Sequence, residues 1–409
     1  MACENATDYD YRLVDGDTGL QDAISELKRK IAERNTLLAV DCEGDSLSRE
    51  GALTIITVAT EEKVYIFDVL KLGQLIFSSG LGEILEDNSR KKLMFDCRQD
   101  SDALWHQFKV KLSGVFDLQL LEVIYRRENP SSGSTANTPQ FSTKNKLRGG
   151  RRSRRSQRID EVERIYGFGR CIELYLQDEK LIKIKEKGKE LLKEDKEVWT
   201  KRPLTDELIQ YCIVDTMAMF RLNNKMKDVN GGEQARLRVA SEKYVDLYRG
   251  KTERSFDEYE TNAYLPLDII PDKGTLDFPA ANTACTRCHR RFPREEFSVT
   301  QLGKGEQKCR VCKEVKRLKM YKITEKIIGN ALPAKKKNMS TFLKACLTTH
   351  GFMATKLGRI LTLLMMTGKA SYAIHGLLYM ATPRVVAMTC NLIQKTLILQ
   401  SLQIPFRRL

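Results

Sequence analysis

The chain has 409 residues, a hydrophobic fraction of 42% and a formal net charge of +15. This hydrophobic content is ordinary for globular proteins and excludes wholesale disorder, while the length allows two or three domains. The basic charge is local, because residues 326–409 hold twelve lysines and arginines and no acid. The rest of the chain is therefore almost balanced in charge.

We expect an intracellular protein of the nucleus or cytoplasm. Residues 1–17 are acidic, unlike a secretory signal or a transit peptide. Eleven cysteines without such a signal favour a reducing compartment, with free or metal-bound thiols. The longest uncharged apolar stretch, residues 370–383, is too short to span a membrane, so we expect no membrane partner.

The predicted elements alternate between strands and helices. Residues 20–34 have helical spacing, and residues 37–45, 51–60 and 63–69 read as three strands that begin a sheet in antiparallel fashion. Further along, the pattern predicts a strand over 92–96 and a helix over 101–108. Another element begins at 115–117 and continues helically to residue 124, and mostly helices follow over 159–249. The pattern predicts an α/β fold with a mixed sheet flanked by helices.

Two acids follow an apolar run at the end of the first predicted strand. Asp41 and Glu43 lie two residues apart, so their side chains point to the same face. Paired carboxylates that lose hydration need a compensating cation, and Mg²⁺ or Mn²⁺ prefers such oxygen ligands. The alternative is a strand that frays into solvent with two exposed acids.

Two further acids lie where such a site could recruit them. Asp100 falls where a strand gives way to a helix, a position also suited to a helix N-cap. Asp215 follows Tyr211 by four residues on an apolar run, so both share one helix face. That helix face could instead be half-exposed, with the acid in water.

Together these motifs resemble the DEDD 3′–5′ exonucleases, most closely the ribonuclease D-like branch with tyrosine in the third motif. Asp41-Cys42-Glu43 matches the first motif, Asp96 to Asp100 the second and Tyr211 to Asp215 the third, the last preceded by a typical lead-in over residues 198–205. The likeness covers roughly residues 20–230, with Phe95 where many members have histidine. It implies a ribonuclease H-like fold and hydrolysis of single-stranded nucleic acid, RNA favoured over DNA.

The resemblance also implies roles for these residues in two-metal catalysis with Mg²⁺ or Mn²⁺. Asp41 would bridge both ions, Glu43 and Asp215 would hold the one that activates water, and Asp100 would help to hold the second. Tyr211 would orient the attacking water, since its ordinary pKa near 10 makes it a poor base. A second hypothesis, from another class, is an adaptor that keeps the fold without catalysis, and a third is a zinc-centred scaffold with a secondary nuclease; the intact acids favour the enzyme.

A separate cysteine pattern follows. Two Cys-x-x-Cys pairs stand twenty residues apart, which matches a structural zinc site made of Cys285, Cys288, Cys309 and Cys312. Four unrelated buried thiols are the alternative. The surroundings are basic, so this zinc-stabilised module could contact phosphates or an acidic protein partner, or simply face solvent.

The remaining predictions concern domain limits and basic stretches. The run from residue 144 to 158 suits phosphate contact or nuclear import, or a solvated loop, and we assign nucleic-acid binding to Arg151, Arg152, Arg154 and Arg155. The predicted parts are an N-terminal extension (1–19), an exonuclease domain (20–249) with an insertion (129–158), a linker (250–280), the zinc module (281–325) and a basic tail (326–409). The tail is either a partner-binding extension or an incorrectly predicted reading frame.

Overall fold

The computed structural model describes residues 9–33, 36–129, 162–229 and 231–331. The chain divides into two units, residues 1–138 with 153–312, and residues 139–152 with 313–409. The predicted insertion residues from 130 to 158, among them Arg151, Arg152, Arg154 and Arg155, lie outside the described residues, as does most of the basic tail.

The first unit is built on a six-stranded mixed sheet, which confirms the predicted fold class. The strands are β1 Asp10–Val14, β2 Leu38–Asp45, β3 Ala52–Ala59, β4 Lys63–Asp68, β5 Lys92–Met94 and β6 Val115–Asp117. Their order across the sheet is β1-β4-β3-β2-β5-β6. The β2–β3 and β3–β4 pairs are antiparallel and the other neighbours are parallel. The three consecutive strands β2, β3 and β4 thus pair in the antiparallel manner predicted.

Helices cover the sheet and fill the second half of the unit. They are α1 Asp17–Glu33, α2 Val69–Leu72, α3 Gln74–Ile76, α4 Gly82–Glu86, α5 Arg98–Phe108, α6 Leu118–Glu128, α7 Phe168–Cys171, α8 Glu179–Glu194, α9 Asp206–Lys225 and α10 Gly231–Arg249. Short π-helical turns occupy Phe77–Leu81 and Ile172–Leu176, and a 3₁₀ turn occupies Val198–Thr200. Within the described residues, no helix is long and apolar enough to cross a membrane.

The core lies between the sheet and these helices. Strands β3 and β4 are buried along almost their whole length, as expected of central strands covered on both faces. Helix α9 packs against β2, β3 and β4, and thirteen of its residues are buried. A buried carboxylate on α9 is therefore carried directly to the middle of the sheet.

The sheet begins ahead of residue 20. Strand β1 lies at one edge and pairs in parallel with β4, with Asp10 opposite Lys63 and Val14 opposite Phe67. Residues 250–280 are the segment predicted as a linker. Tyr264 in this segment forms an isolated β-bridge with Arg164, and side chains such as Leu265 and Ile269 are buried. This segment packs on the core.

A small four-cysteine module completes the first unit. We use this name for residues 283–312, which contain β7 Thr283–Ala284, β8 Arg291–Phe292, a 3₁₀ turn Arg294–Glu296 and α11 Val299–Gly303. The final helix, α12 Arg310–Ala331, starts inside the module.

Candidate active site

The end of β2 supplies two carboxylates. Asp41 pairs with Thr57 of β3 and Glu43 with Ile55, and the register then shifts at Gly44. A side chain at Gly44 would overlap the carbonyl group of Ala52, so only glycine lets β3 approach here. The shift is an irregularity immediately after the two acids, and pairing resumes with Gly44 opposite Leu53. The side chains of both acids are half-buried.

Helix α9 supplies the third carboxylate. Thr205 caps its N-terminus by accepting a hydrogen bond from the backbone N–H of Leu208. Just before it, Arg202 pairs with Asp68 at the end of β4, and this ion pair ties the start of α9 to the sheet. Asp215 is buried two turns further on, with only 4% of its surface exposed.

Asp41, Glu43 and Asp215 form one group, which we call the acid cluster. One carboxylate oxygen from each lies within 4.8 Å of the others. Hard carboxylate oxygens at this separation fit a divalent cation such as Mg²⁺ or Mn²⁺. The structure thus brings together acids of the first and third predicted motifs.

The electrostatics of the cluster agree with that fit. Loss of hydration, followed by the charge of Asp215, raises the pKa of Asp41 to about 7. Burial also raises the pKa of Glu43, with Asp41 as the next cause, and burial raises the pKa of Asp215 although Lys185 opposes it. Acids that resist ionisation in the metal-free protein are stabilised in their charged form by a bound cation.

Asp100 is close by but outside the acid cluster. It lies in the first turn of α5, is 7% exposed, and its carboxylate accepts a hydrogen bond from the thiol of Cys42. Burial and then the charge of Asp41 raise the pKa of Asp100. The structure therefore places the second-motif acid beside the cluster, in electrostatic contact with it.

Tyr211 is buried one turn before Asp215 on α9. Its ring meets Trp199 edge-on at a centroid distance of 6.0 Å. Burial, with Asp215 as the next cause, raises the pKa of its hydroxyl far above the ordinary value. The group stays protonated at neutral pH, so it can donate or accept hydrogen bonds but cannot act as a base.

Lys185 of α8 is a site residue that the sequence analysis missed. Its ammonium group lies 2.6 Å from both carboxylate oxygens of Asp215 and 2.7 Å from the hydroxyl oxygen of Tyr211. It also sits 3.8 Å from the centroid of the Tyr211 ring. Since its side chain is 6% exposed, Lys185 is an internal cation that fixes both third-motif residues.

Gly188 allows α8, which carries Lys185, to pack closely against α9. The residue lies one turn after Lys185 and is buried against Tyr211. A β-carbon at this position would overlap the Tyr211 ring, which is held by Trp199 on another side. The close approach of α8 to α9 thus depends on the missing side chain.

The four cysteines of the module also converge. Their sulfur atoms all lie within 4.8 Å of one another, and those of Cys288 and Cys309 are 4.0 Å apart. Zinc–sulfur bonds of about 2.3 Å in a tetrahedron place sulfurs about 3.8 Å apart, so the spacing fits zinc. Backbone N–H groups of Arg287 and Cys309 point at the sulfur of Cys285, at 3.4 Å each.

Comparisons with known proteins agree with the fold and the motifs. Residues 11–132 match the family model described as 3′–5′ exonuclease. The chain is 41% identical over 92 residues to the piRNA biogenesis protein EXD1 of Mus musculus, covering 22% of this chain and 16% of that protein. It is 28% identical over 239 residues to the Homo sapiens protein of the same name, covering 58% of this chain and 41% of that protein.

Among solved structures, ribonuclease D of Trypanosoma brucei in complex with GMP superimposes with a TM-score of 0.48 at 23% identity. That alignment covers 75% of this chain and 82% of the other. The match to the two EXD1 proteins spans less than half the length of each. Residues 11–132 thus match a 3′–5′ exonuclease family model, as the motifs predicted, and the structure also holds a four-cysteine cluster.

Proposed function

We propose that the chain is a 3′–5′ exonuclease that hydrolyses phosphodiester bonds of single-stranded nucleic acid by two-metal-ion catalysis. The observation that carries this proposal is the acid cluster, where three carboxylates from β2 and α9 meet within 4.8 Å inside an exonuclease-type domain. Three carboxylates that share one internal ammonium group, that of Lys185, are costly to keep ionised, so their presence supports a cation-dependent site.

Each residue has a proposed part in the reaction. Asp41, Glu43 and Asp215 would hold Mg²⁺ or Mn²⁺, with Asp41 shared between two ions and Asp100 as the additional ligand of the second. Bound ions would supply a more acidic water and neutralise charge on the phosphate. Tyr211 would orient the attacking water through its protonated hydroxyl, and Lys185 would hold Tyr211 and Asp215 in register.

We propose RNA over DNA as substrate, because the chain is similar to proteins named for piRNA biogenesis. The basic stretch with Arg151, Arg152, Arg154 and Arg155 remains our candidate for phosphate contacts. We also propose that the four-cysteine module binds one structural Zn²⁺, that it takes a protein partner, and that the protein acts in the nucleus or cytoplasm.

Two observations favour a second candidate, an adaptor with an exonuclease fold that binds nucleic acid without cleaving it. Lys185 already contacts both oxygens of Asp215, and Asp100 is turned toward Cys42 instead of joining the acid cluster. In an adaptor, an internal ammonium group could replace the metal ion as the counter-charge of the buried acid.

A directional cleavage assay distinguishes the two candidates. A 5′-labelled single-stranded RNA with a free 3′ end is incubated with Mg²⁺, Mn²⁺ or EDTA, beside the same RNA with a blocked 3′ end and a DNA of equal sequence. If the chain is an exonuclease, we expect stepwise shortening of the RNA only when its 3′ end is free and a divalent ion is present. Binding of the RNA without shortening in either metal would establish the adaptor.

A further inference from the structure

The four-cysteine module is connected to the second exonuclease motif by a chain of charged groups. Its outer part begins at Arg287, between Cys285 and Cys288. The guanidinium of Arg287 donates to the carboxylate of Asp257 at 2.9 Å and lies 4.0 Å from the ring centroid of Tyr259. Asp257 in turn accepts hydrogen bonds from the backbone N–H groups of Tyr259 and Glu260. The module therefore contacts the turn that presents Glu260.

The charged groups nearest to α5 are buried. Arg254 pairs with Glu260 at 2.6 Å and with Asp102 of α5 at 2.7 Å, and it donates to Gln99 of α5 at 2.8 Å. The side chains of Arg254 and Asp102 are completely buried and that of Glu260 is 3% exposed. Burial alone would raise the pKa of Glu260, but the hydrogen bond from Arg254 and the charge of Lys251 lower it to about 2. These ion pairs are therefore fully charged at neutral pH.

A second set of hydrogen bonds joins the Glu260 turn to α5, on the core side of a cavity that the module also lines. A cavity of about 40 Å³ separates the module from the core, with Cys288, Cys309 and Cys312 on one side and Arg98 and Tyr248 on the other. Tyr248 accepts a hydrogen bond from Arg98 at 3.1 Å and donates one to the carbonyl of Glu260 at 3.1 Å. Arg98 is the first residue of α5, so Tyr248 joins the Glu260 turn to the same helix turn that Arg254 contacts.

That helix turn carries Asp100. Arg98, Gln99 and Asp102 surround it in sequence, and each is held by a residue of the segment from Tyr248 to Glu260. A buried ion pair restrains its partners strongly, because removal of one member leaves an uncompensated charge. We call the connected groups Arg287, Asp257, Glu260, Arg254 and Asp102 the relay. We propose that the metal-loaded module positions Asp100 through this relay, with Glu260 and Arg254 as positioning residues.

This inference rests on zinc binding by the four cysteines, which is part of the proposed function. Metal binding and folding are coupled in such modules, so zinc loss should release the turn at Asp257 and Tyr259. The amides of α5 should then exchange faster with solvent, whereas the central strands β2 and β3 should stay protected.

Hydrogen exchange of the full-length protein, followed by mass spectrometry, tests the relay. The protein is compared with and without one equivalent of zinc, in buffer free of Mg²⁺ and Mn²⁺. Glu260→Gln cuts the relay while leaving all four cysteines in place, and Glu253→Gln is a matched control at an exposed site of the same segment. We expect α5 to exchange at least tenfold faster after zinc removal and in zinc-loaded Glu260→Gln, and to be unchanged in Glu253→Gln.

Two results would overturn the proposal. One is that the exchange rate of the α5 amides does not change after zinc removal, with faster exchange confined to residues 283–312. The same holds if the α5 exchange rate does not change in Glu260→Gln. The other is equal loss of protection in β2, β3 and α5, which would mean general unfolding. If the chain cleaves RNA, Glu260→Gln should also lower kcat about tenfold with little change in KM; absence of any cleavage would refute the proposed exonuclease but not the relay.

Discussion

Lys185 determines how the third motif is presented, because one ammonium group holds both Asp215 and Tyr211. Replacing it with methionine keeps the length of the side chain but leaves a buried carboxylate without its cation. We expect Lys185→Met to lower kcat roughly 10²-fold, since small displacements of positioning groups have effects of this order. KM should change little, which steady-state kinetics on a short RNA would measure.

Lys189→Met is the matched control for that variant. Lys189 lies one turn further along α8, is exposed, and acts on Asp215 only through its charge. Its replacement should change kcat by less than about threefold, as expected of a solvent-screened charge. Equal effects of the two substitutions would show that Lys185 contributes only general positive charge.

The hydroxyl of Tyr211 should matter for turnover and not for packing. Tyr211→Phe preserves the ring against Trp199 and Gly188 and removes only the oxygen. We expect a decrease in kcat of about 10²-fold, equal to about 2.7 kcal/mol of transition-state stabilisation, with KM nearly unchanged. Single-turnover cleavage is the measurement, and a rate equal to wild type would make Tyr211 a packing residue.

The pKa of Asp41 predicts how stability depends on pH in the metal-free protein. The folded value is about 7 and the ordinary value 3.8. Between these values the unfolded chain has released a proton that the folded protein retains, so stability should fall as pH rises from about 4 to about 7. The same sign holds for Glu43, Asp100 and Asp215, whose pKa values are also raised.

Thermal melting from pH 5 to pH 8 measures this effect. Asp41→Asn should flatten the decline in Tm, because the amide has no proton to lose, and Mn²⁺ at pH 8 should raise the wild-type Tm more than that of the variant. An identical pH profile for the two proteins would show that Asp41 ionises as freely in the folded state as in water.

The acids were predictable from sequence at the residue scale, whereas Lys185 was not. Asp41, Glu43 and Asp215 were identified from their spacing and from the apolar runs that carry them. Lys185 lies in a helix rich in lysine and glutamate, where one more charge looks solvated. One signal was present in the sequence, because Leu181, Lys185 and Gly188 follow helical spacing. In the structure all three are buried. Only the three-dimensional fold shows that Lys185 of this helix face contacts Asp215.

At the scale of elements, the packing of α8 against α9 leaves no room for a side chain at Gly188. Gly188→Ala gains about 1 kcal/mol in helix propensity but places a methyl group against the Tyr211 ring. Overpacking typically costs about 1–3 kcal/mol, so we expect the variant to be less stable than wild type and to displace Tyr211. Urea denaturation and cleavage kinetics would measure both effects, and a more stable, fully active variant would contradict this description of the contact.

The order of the central strands was predictable, and the edges were not. Strands β2, β3 and β4 are strongly apolar neighbours in sequence, so their antiparallel pairing follows from local pattern. Strand β1 is short, mixed in character and pairs with a strand some fifty residues away. Residues 250–280 have the proline content of a linker, and the ion pairs that Arg254 makes with the core depend on three-dimensional packing that composition cannot indicate.

At the scale of the whole molecule, the exonuclease domain and the four-cysteine module belong to one compact unit. The unit holds three acids beside the central strand β2, and buried groups from α5, α8 and α9 surround them. Asp41 is central to this arrangement, because it belongs to the acid cluster and acts electrostatically on both Glu43 and Asp100. We propose that this cluster is a metal-dependent active site.

Cleavage of a 5′-labelled RNA by wild type and by Asp41→Asn in the same Mg²⁺ buffer tests whether the acid cluster is the active site. The substitution removes one negative charge and keeps the shape of the side chain, so folding and RNA binding should be retained. We predict stepwise shortening from the 3′ end by wild type and a rate at least about 10³-fold lower in the variant, because loss of a shared ligand disables both ions. A variant that binds the RNA and shortens it within a few-fold of the wild-type rate would contradict the claim.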